Sequence, residues 1–349
     1  MKSPIAASAA ALPLSLLLAA GCVGSVGGED PLDPGDDGEG DGDGSGGDGD
    51  EDCASIEVAL TESIPTVMLL VDRSGSMYDP FGNTDRWSAV HSTLVDATSG
   101  VVKRLEQQVR FGVAFYTSTD ANAANGTCPV IDQVLPAMGN YGSIRSMFDA
   151  LDPIEDTPTA PSLTVAQNLL STVTETGPKI IVLATDGLPD TCDVPDPDSD
   201  DEQLALQDET VQAAMDVHAA GIDVYYVSVG PEVTASHAQA MANAGRGLPV
   251  GGAENAPYYQ ALNPDSLVAA FDDIIEDVRS CTFALDGSVD LSRAGEGTVT
   301  LDGSELVFGT DWDMVDEGTL ELLGSACDAV KDGGDHEISA QFTCGSVVD

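Results

Sequence analysis

Thr66-Val67-Met68-Leu69-Leu70-Val71-Asp72-Arg73-Ser74-Gly75-Ser76-Met77 is the stretch that decides the fold. Its first six residues form an unbroken apolar run rich in β-branched side chains, the pattern of a strand covered on both faces. Lys179–Ala184 (KIIVLA) repeats it, Ile222–Val229 (IDVYYVSV) is a partly alternating version, and Phe111–Tyr116 (FGVAFY) reads as another strand. Helical stripes lie between these runs. Trp87, Val90, Leu94, Ala97, Val101 and Leu105 recur every three or four residues, as do Leu163, Ala166, Leu169 or Leu170, and Val173. Leu267, Phe271, Ile274, Ile275 and Val278 make a third apolar face. Strand–helix alternation predicts an α/β fold over residues 53–281. Its expected form is a doubly wound, mostly parallel sheet with helices on both faces.

In such a sheet, ligands collect at the carboxyl ends of the strands. The first strand ends in Asp72-x-Ser74-x-Ser76, and a second ends in Thr185-Asp186-Gly187. Thr157-Pro158-Thr159 precedes the helix between them. If the two strands are neighbours, two carboxylates and several hydroxyls meet at one point. All are hard oxygen donors, which suit Mg²⁺, Mn²⁺ or Ca²⁺ rather than zinc or copper. Hydroxyls neutralise little of a dication's charge, so a metal held by them keeps an electron-poor position open to an outside carboxylate. Ser and Asp also cap turns and helix starts, the competing structural role.

The combination of D-x-S-x-S, a separate Thr and the Asp of T-D-G resembles the von Willebrand factor type A domain and its metal-ion-dependent adhesion site. The resemblance covers roughly residues 60–280. It implies a Rossmann-like fold in which Ser74, Ser76 and Thr157 hold the metal through hydroxyls, while Asp72 and Asp186 act largely through waters. Where the family pattern has two glycines before the Thr, this chain has Glu155 and Asp156, which leaves Thr157 and Thr159 as alternatives. Extra carboxylates there would strengthen cation capture or shift it toward Ca²⁺.

Lys2, an apolar run from Ile5 to Ala20, and Gly21-Cys22 read as a signal peptide over residues 1–21. The apolar run is short for a membrane span. Leu18-Ala19-Ala20-Gly21-Cys22 resembles a bacterial lipobox, which implies cleavage before Cys22 and its lipidation. Val23 rather than Asp follows, which favours the outer membrane over the inner one. Residues 22–52, rich in Asp and Gly and without a basic side chain, read as a disordered acidic linker. The whole chain of 349 residues carries 60 acidic and 12 basic side chains, a net charge of −48. Nucleic acid is excluded as a partner, because phosphate backbones are gripped by Lys and Arg. Membrane contact through an anionic surface is excluded likewise, leaving the lipid anchor.

Residues 282–349 carry no long helical stripe and read as a small β-rich domain. Leu285-Asp286-Gly287-Ser288 and Leu301-Asp302-Gly303-Ser304 are both hairpin signals. With Cys22 lipidated, six cysteines remain, which in an exported chain suggests three disulfides. The expected pairs are Cys53 with Cys281 across the ends of the α/β block, Cys128 with Cys192 on the metal face, and Cys327 with Cys344. The loop Asp190–Glu202 is strongly acidic and reads either as a second calcium site or as a solvated loop.

Three classes of function compete. No G-x-S-x-G, P-loop or Cys–His pattern supports an enzyme. A surface-exposed, lipid-anchored binding module would grip an Asp or Glu of a protein partner through a divalent cation. A structural envelope scaffold with a non-functional metal site is the alternative.

Overall fold

The computed structural model describes residues 56–58, 60–119, 127–279, 281–331, 336–343 and 345–348. The expected signal peptide, Cys22, the acidic linker, Cys53 and Cys344 lie outside the described residues. Among the described residues, no helix is long and apolar enough to cross a membrane.

The described chain enters on β1 (Ile56–Val58) and β2 (Leu60–Glu62), then runs into β3 (Thr66–Asp72). A small hairpin of β4 (Pro80–Phe81) and β5 (Thr84–Asp85) leads to α1 (Arg86–Val95) and α2 (Val101–Leu105). Next come β6 (Arg110–Thr119), β7 (Thr127–Ala137), α3 (Tyr141–Phe148), α4 (Thr159–Ser171) and β8 (Lys179–Thr185). The block ends with α5 (Asp200–Ala219), β9 (Asp223–Val229), α6 (Ala235–Gly245), β10 (Tyr259–Ala261) and α7 (Pro264–Val278).

Among the described residues these strands form a six-stranded sheet in the order β10-β9-β8-β3-β6-β7. Every neighbouring pair is parallel except β6 with β7. All seven residues of β3 are buried. Alternate side chains serve the two faces, as the two-residue strand period requires. Val67, Leu69 and Val71 meet Trp87, Phe148 and Phe271 from α1, α3 and α7. Met68 and Leu70 meet Leu163, Val211 and Met241 from α4, α5 and α6. Burying each such Leu or Met contributes roughly 1.5–3 kcal/mol. The expected doubly wound, mostly parallel sheet with helices on both faces is the architecture found.

The stripe from Trp87 to Leu105 is two helices rather than one. Asp96 accepts hydrogen bonds from Thr98 N, Ser99 N and Ser99 Oγ at 2.9, 2.8 and 2.8 Å, drawing the chain out of helical geometry. A side chain at Gly100 would lie 2.6–2.8 Å from the backbone of Asp96 and Leu94, so only glycine fits the bend.

The C-terminal strands are β11 (Thr282–Leu285), β12 (Ser288–Val289), β13 (Thr298–Leu301), β14 (Ser304–Leu306), β15 (Trp312–Asp316) and β16 (Thr319–Leu322). α8 (Gly324–Val330), β17 (Ile338–Phe342) and β18 (Val347–Val348) follow. They form two sheets, β1-β17-β13-β14 and β15-β16-β11-β2, with β12 paired to β18. Val299, Leu301 and Phe342 of one sheet and Phe283, Trp312 and Leu320 of the other share a core. β1 and β2 precede the α/β block in sequence but complete the two sheets, with Ile56 opposite Phe342 and Glu62 opposite Phe283. The α/β domain is inserted between β2 and β11.

Asp302 and Gly303 take φ values of 50° and 76° and close the β13–β14 hairpin, as the sequence predicts. Asp286-Gly287 closes no hairpin. Gly287 sits at φ 146°, and β11 pairs instead with β16 and β2.

Cys128 and Cys192 are bonded, as expected. Cys281 is bonded to Cys327, which overturns both the Cys53–Cys281 and the Cys327–Cys344 pairings. The ladder gives the reason: Leu322 N donates to Cys281 O at 2.9 Å, so α8, which follows β16 directly, delivers Cys327 to the start of β11.

Candidate functional site

β3 and β8 lie side by side in parallel register, Val71 opposite Ala184, so their carboxyl ends finish at the same level. Asp72 closes β3 and Asp186 follows β8; both are fully buried. Asp72 is held at both oxygens. Ser74 N donates to Oδ1 at 2.7 Å, and Thr185 Oγ1 donates to Oδ2 at 2.6 Å. The Ser74 and Ser76 hydroxyls are 3.0 Å apart, and Ser76 Oγ donates to Asp186 Oδ1 at 2.8 Å. A Cβ at Gly187 would lie 3.7 Å from Thr157 Oγ1 and 4.0 Å from Ser76 Oγ, so these hydroxyls border one gap that glycine leaves open. The geometry thus brings Asp72, Ser74, Ser76, Thr157 and Asp186 around a single point.

Thr159 points elsewhere. As the first residue of α4 it is buried, with Oγ1 3.2 Å from both the Tyr116 hydroxyl and Thr157 O. Of the two alternatives, Thr157 is the one whose hydroxyl borders the gap. Glu155, where the type A pattern has glycine, sits at φ 50°, and its carbonyl accepts from Gly75 N at 2.9 Å. Asp156 accepts from Ser118 Oγ at 2.9 Å.

Burial, then the Asp186 charge, pushes the Asp72 carboxyl well above the usual carboxylate range. Burial raises Asp186 too, against the pull of Arg86 and Ser76. Two buried carboxylates edged by three hydroxyls form an oxygen-only donor set that fits a hard dication. Among the described residues no cluster of three or more His, Cys, Asp or Glu side chains is placed to hold a metal. This set has only two carboxylates and completes itself with hydroxyls.

Several residues at the site were not singled out in the sequence. Arg86, the first residue of α1, is 3% exposed and donates from Nη1 to Asp186 Oδ2 at 2.7 Å. Its Nη2 donates to Glu232. Asp190, expected in an acidic loop, is instead buried against Thr157: Thr157 N donates to Asp190 Oδ2 at 2.7 Å, and Asp190 N donates to Thr157 O at 3.1 Å. Burial pushes its carboxyl up to about 8. The signal for Asp190 was its place four residues past Asp186, on the same strand-end loop. Arg86 offered only its scarcity, as one of 12 cations beside 60 acids.

No protein-family model matches the chain, and no curated protein matches it by sequence. Solved structures similar to it include the pilus adhesin SpaC of Lactobacillus rhamnosus GG, at 15% identity and TM-score 0.47 over 80% of this chain and 39% of that one. The PilB minor pilin of Streptococcus sanguinis matches at 16% identity and TM-score 0.49, over 63% of this chain and 62% of that one. A von Willebrand factor type A protein of Catenulispora acidiphila matches at 13% identity and TM-score 0.43, over 80% and 57%. The chain spans less than two thirds of each of these neighbours.

Proposed function

We propose that the chain is an exported binding module whose α/β domain grips an acidic group of a protein partner through a divalent cation. The carrying observation is the convergence of Asp72, Asp186 and three hydroxyls at the ends of adjacent strands β3 and β8. Ser74, Ser76 and Thr157 would hold Mg²⁺, Mn²⁺ or Ca²⁺ directly, with Asp72 and Asp186 behind them. The cation would supply an electron-poor position for an incoming Asp or Glu. Lipidation at Cys22 and an acidic tether over residues 22–52 would display the module on the envelope, in our reading at the outer membrane or cell surface. Binding, rather than catalysis, is the activity proposed.

One observation favours a second reading, a structural envelope scaffold with a non-functional site. Arg86 already places a cation on Asp186, as a metal-free site would need. Calorimetric titration of Mg²⁺, Mn²⁺ and Ca²⁺ into the compact unit Asp52–Asp349 separates the two. Binding by wild type that Asp72→Ala and Ser74→Ala abolish supports the module. Equal binding in all three proteins would move the cations to the acidic loop, and no binding with or without a carboxylate would leave the scaffold.

A further inference from the structure

The sandwich gathers its exposed apolar side chains on one flank. The consecutive strands β1 and β2 close one side of the two sheets, and β14 and β15 are the edge strands at the other. Leu291, Val307, Phe308 and Val315 lie along that second flank. Among the described residues they are the large apolar side chains that the sandwich exposes, each by 40–59%.

Three local devices display them. The loop from β14 to β15 closes on itself: Val307 N donates to Asp311 Oδ2 at 2.9 Å, and Asp311 N donates to Val307 O at 2.8 Å. Gly309, at φ 72°, donates from N to Trp312 O at 2.7 Å. On β15 the register shifts between Met314 and Asp316, which leaves Val315 opposite no residue of β16. Leu291 opens a 3-10 turn, Leu291–Glu296, which Asp290 fixes by accepting from Ser292 N at 2.9 Å. The three segments adjoin. A Cβ on Gly295, in the same turn, would lie 2.9 Å from the Phe308 ring, and that ring stands edge-on to Trp312 with centroids 4.9 Å apart. Val289 N donates to Glu317 O at 2.7 Å, tying the approach to Leu291 to the end of β15. Single exposed apolar side chains are ordinary on a surface, whereas a set on adjoining segments marks a contact face.

Charge says what fits this face. Residues 290–317 hold eight acidic side chains and one basic one, Arg293, which donates to Glu296 at 2.7 Å. A second copy would bring the same acids against these across a two-fold contact, and an anionic lipid surface would be repelled likewise. A segment with Lys or Arg between apolar side chains covers the apolar set and neutralises its rim. We propose that this flank of the sandwich docks such a basic, apolar segment of a partner protein. The inference is independent of the cation reading, since no residue of the strand-end site takes part.

The test reads fluorescence anisotropy of short labelled peptides with the Asp52–Asp349 unit, in EDTA throughout. A peptide alternating Leu and Lys should bind about tenfold or more tightly than one alternating Ser and Lys, and one alternating Leu and Glu should not bind. Val307→Ser and Val315→Ser change exposed positions, where substitutions leave the fold intact. Together they should weaken the Leu–Lys peptide about tenfold and leave the Ser–Lys peptide unchanged. Leu204→Ser, at a similarly exposed leucine on α5 beside Asp200, Asp201 and Glu202, should change neither. Equal binding of the Leu–Lys and Ser–Lys peptides would reduce the contact to attraction by an acidic surface and overturn the proposal. An equal loss in Leu204→Ser would overturn it as well, by showing this flank to be no different from any apolar side chain among acids. A dimer in sedimentation that the paired Val307→Ser and Val315→Ser changes dissolve would give the flank to a second copy, which also overturns it.

Discussion

Single residues set how stability responds to pH. His237 on α6 is 5% exposed and packs edge-on to Tyr226, with ring centroids 6.2 Å apart. Burial pulls its imidazole down to about 4, and only the Asp208 charge opposes this. In the unfolded chain it would titrate near 6.5, so above that pH it is neutral in both states. As pH falls from about 6.5 to about 4, the unfolded state takes the proton first, and stability is lost by roughly 3 kcal/mol. Asp72 and Asp190 act with the opposite sign. Their raised values mean that the folded state is protonated first as pH falls, which stabilises it. The net curve mixes both trends, and the difference between wild type and His237→Gln isolates one. Urea denaturation between pH 7.5 and 4.5 should show wild type losing stability relative to the variant across that window. Parallel curves would show that His237 is not the titrating group.

At the scale of elements, the loop after β8 ties a covalent bond to the site. Cys192 lies two residues past Asp190 and is bonded to Cys128 on β7, while Asp190 holds Thr157 from both backbone directions. Replacing Cys128 and Cys192 with Ser should lower the unfolding free energy by about 2–4 kcal/mol. If Thr157 holds a cation as proposed, loosening its outer support should also weaken divalent binding about tenfold. Denaturation and calorimetry measure the two effects, and unchanged metal affinity would confine the bridge to stability. The same elements show what a sequence reveals. β3 and β8 were legible because continuous apolar runs admit few other structures, and their polar ends carried four of the five site positions, Asp72, Ser74, Ser76 and Asp186, with them, while Thr157 precedes α4. β7 was not: its residues are mostly half-exposed, and Pro129 and Pro136 fall inside it, as an edge strand allows and a central one does not. Arg86 and Glu232 could not be joined to the site in sequence, since the ion pairs Arg86–Asp186 and Arg86–Glu232 span 100 and 146 residues. The three-residue strands β1 and β2 are too short to show a period, which is why their pairing with β17 and β11 was not legible.

For the molecule as a whole, the insertion makes the two modules depend on each other unequally. The α/β domain has its own core on both sheet faces, and β1 and β2 contribute nothing to its sheet. The sandwich, by contrast, takes an edge strand of each sheet from the segment before that domain. Without them, β17 and β11 would become exposed edges with unpaired backbone groups, a template for aggregation. Leu60, which packs on the sandwich core, would be lost as well. A small core tolerates such losses poorly, because it supplies only a few kcal/mol of net stability. A chain that starts at Ile64 should therefore keep a folded α/β domain while its sandwich opens. Limited proteolysis followed by mass spectrometry should find cleavage concentrated after residue 282, with the segment through α7 protected. A synthetic peptide spanning β1 and β2, added in trans, should restore protection. Equal resistance of the truncated and full units would mean that the C-terminal strands close the sandwich on their own, and that the N-terminal strands merely lie against it.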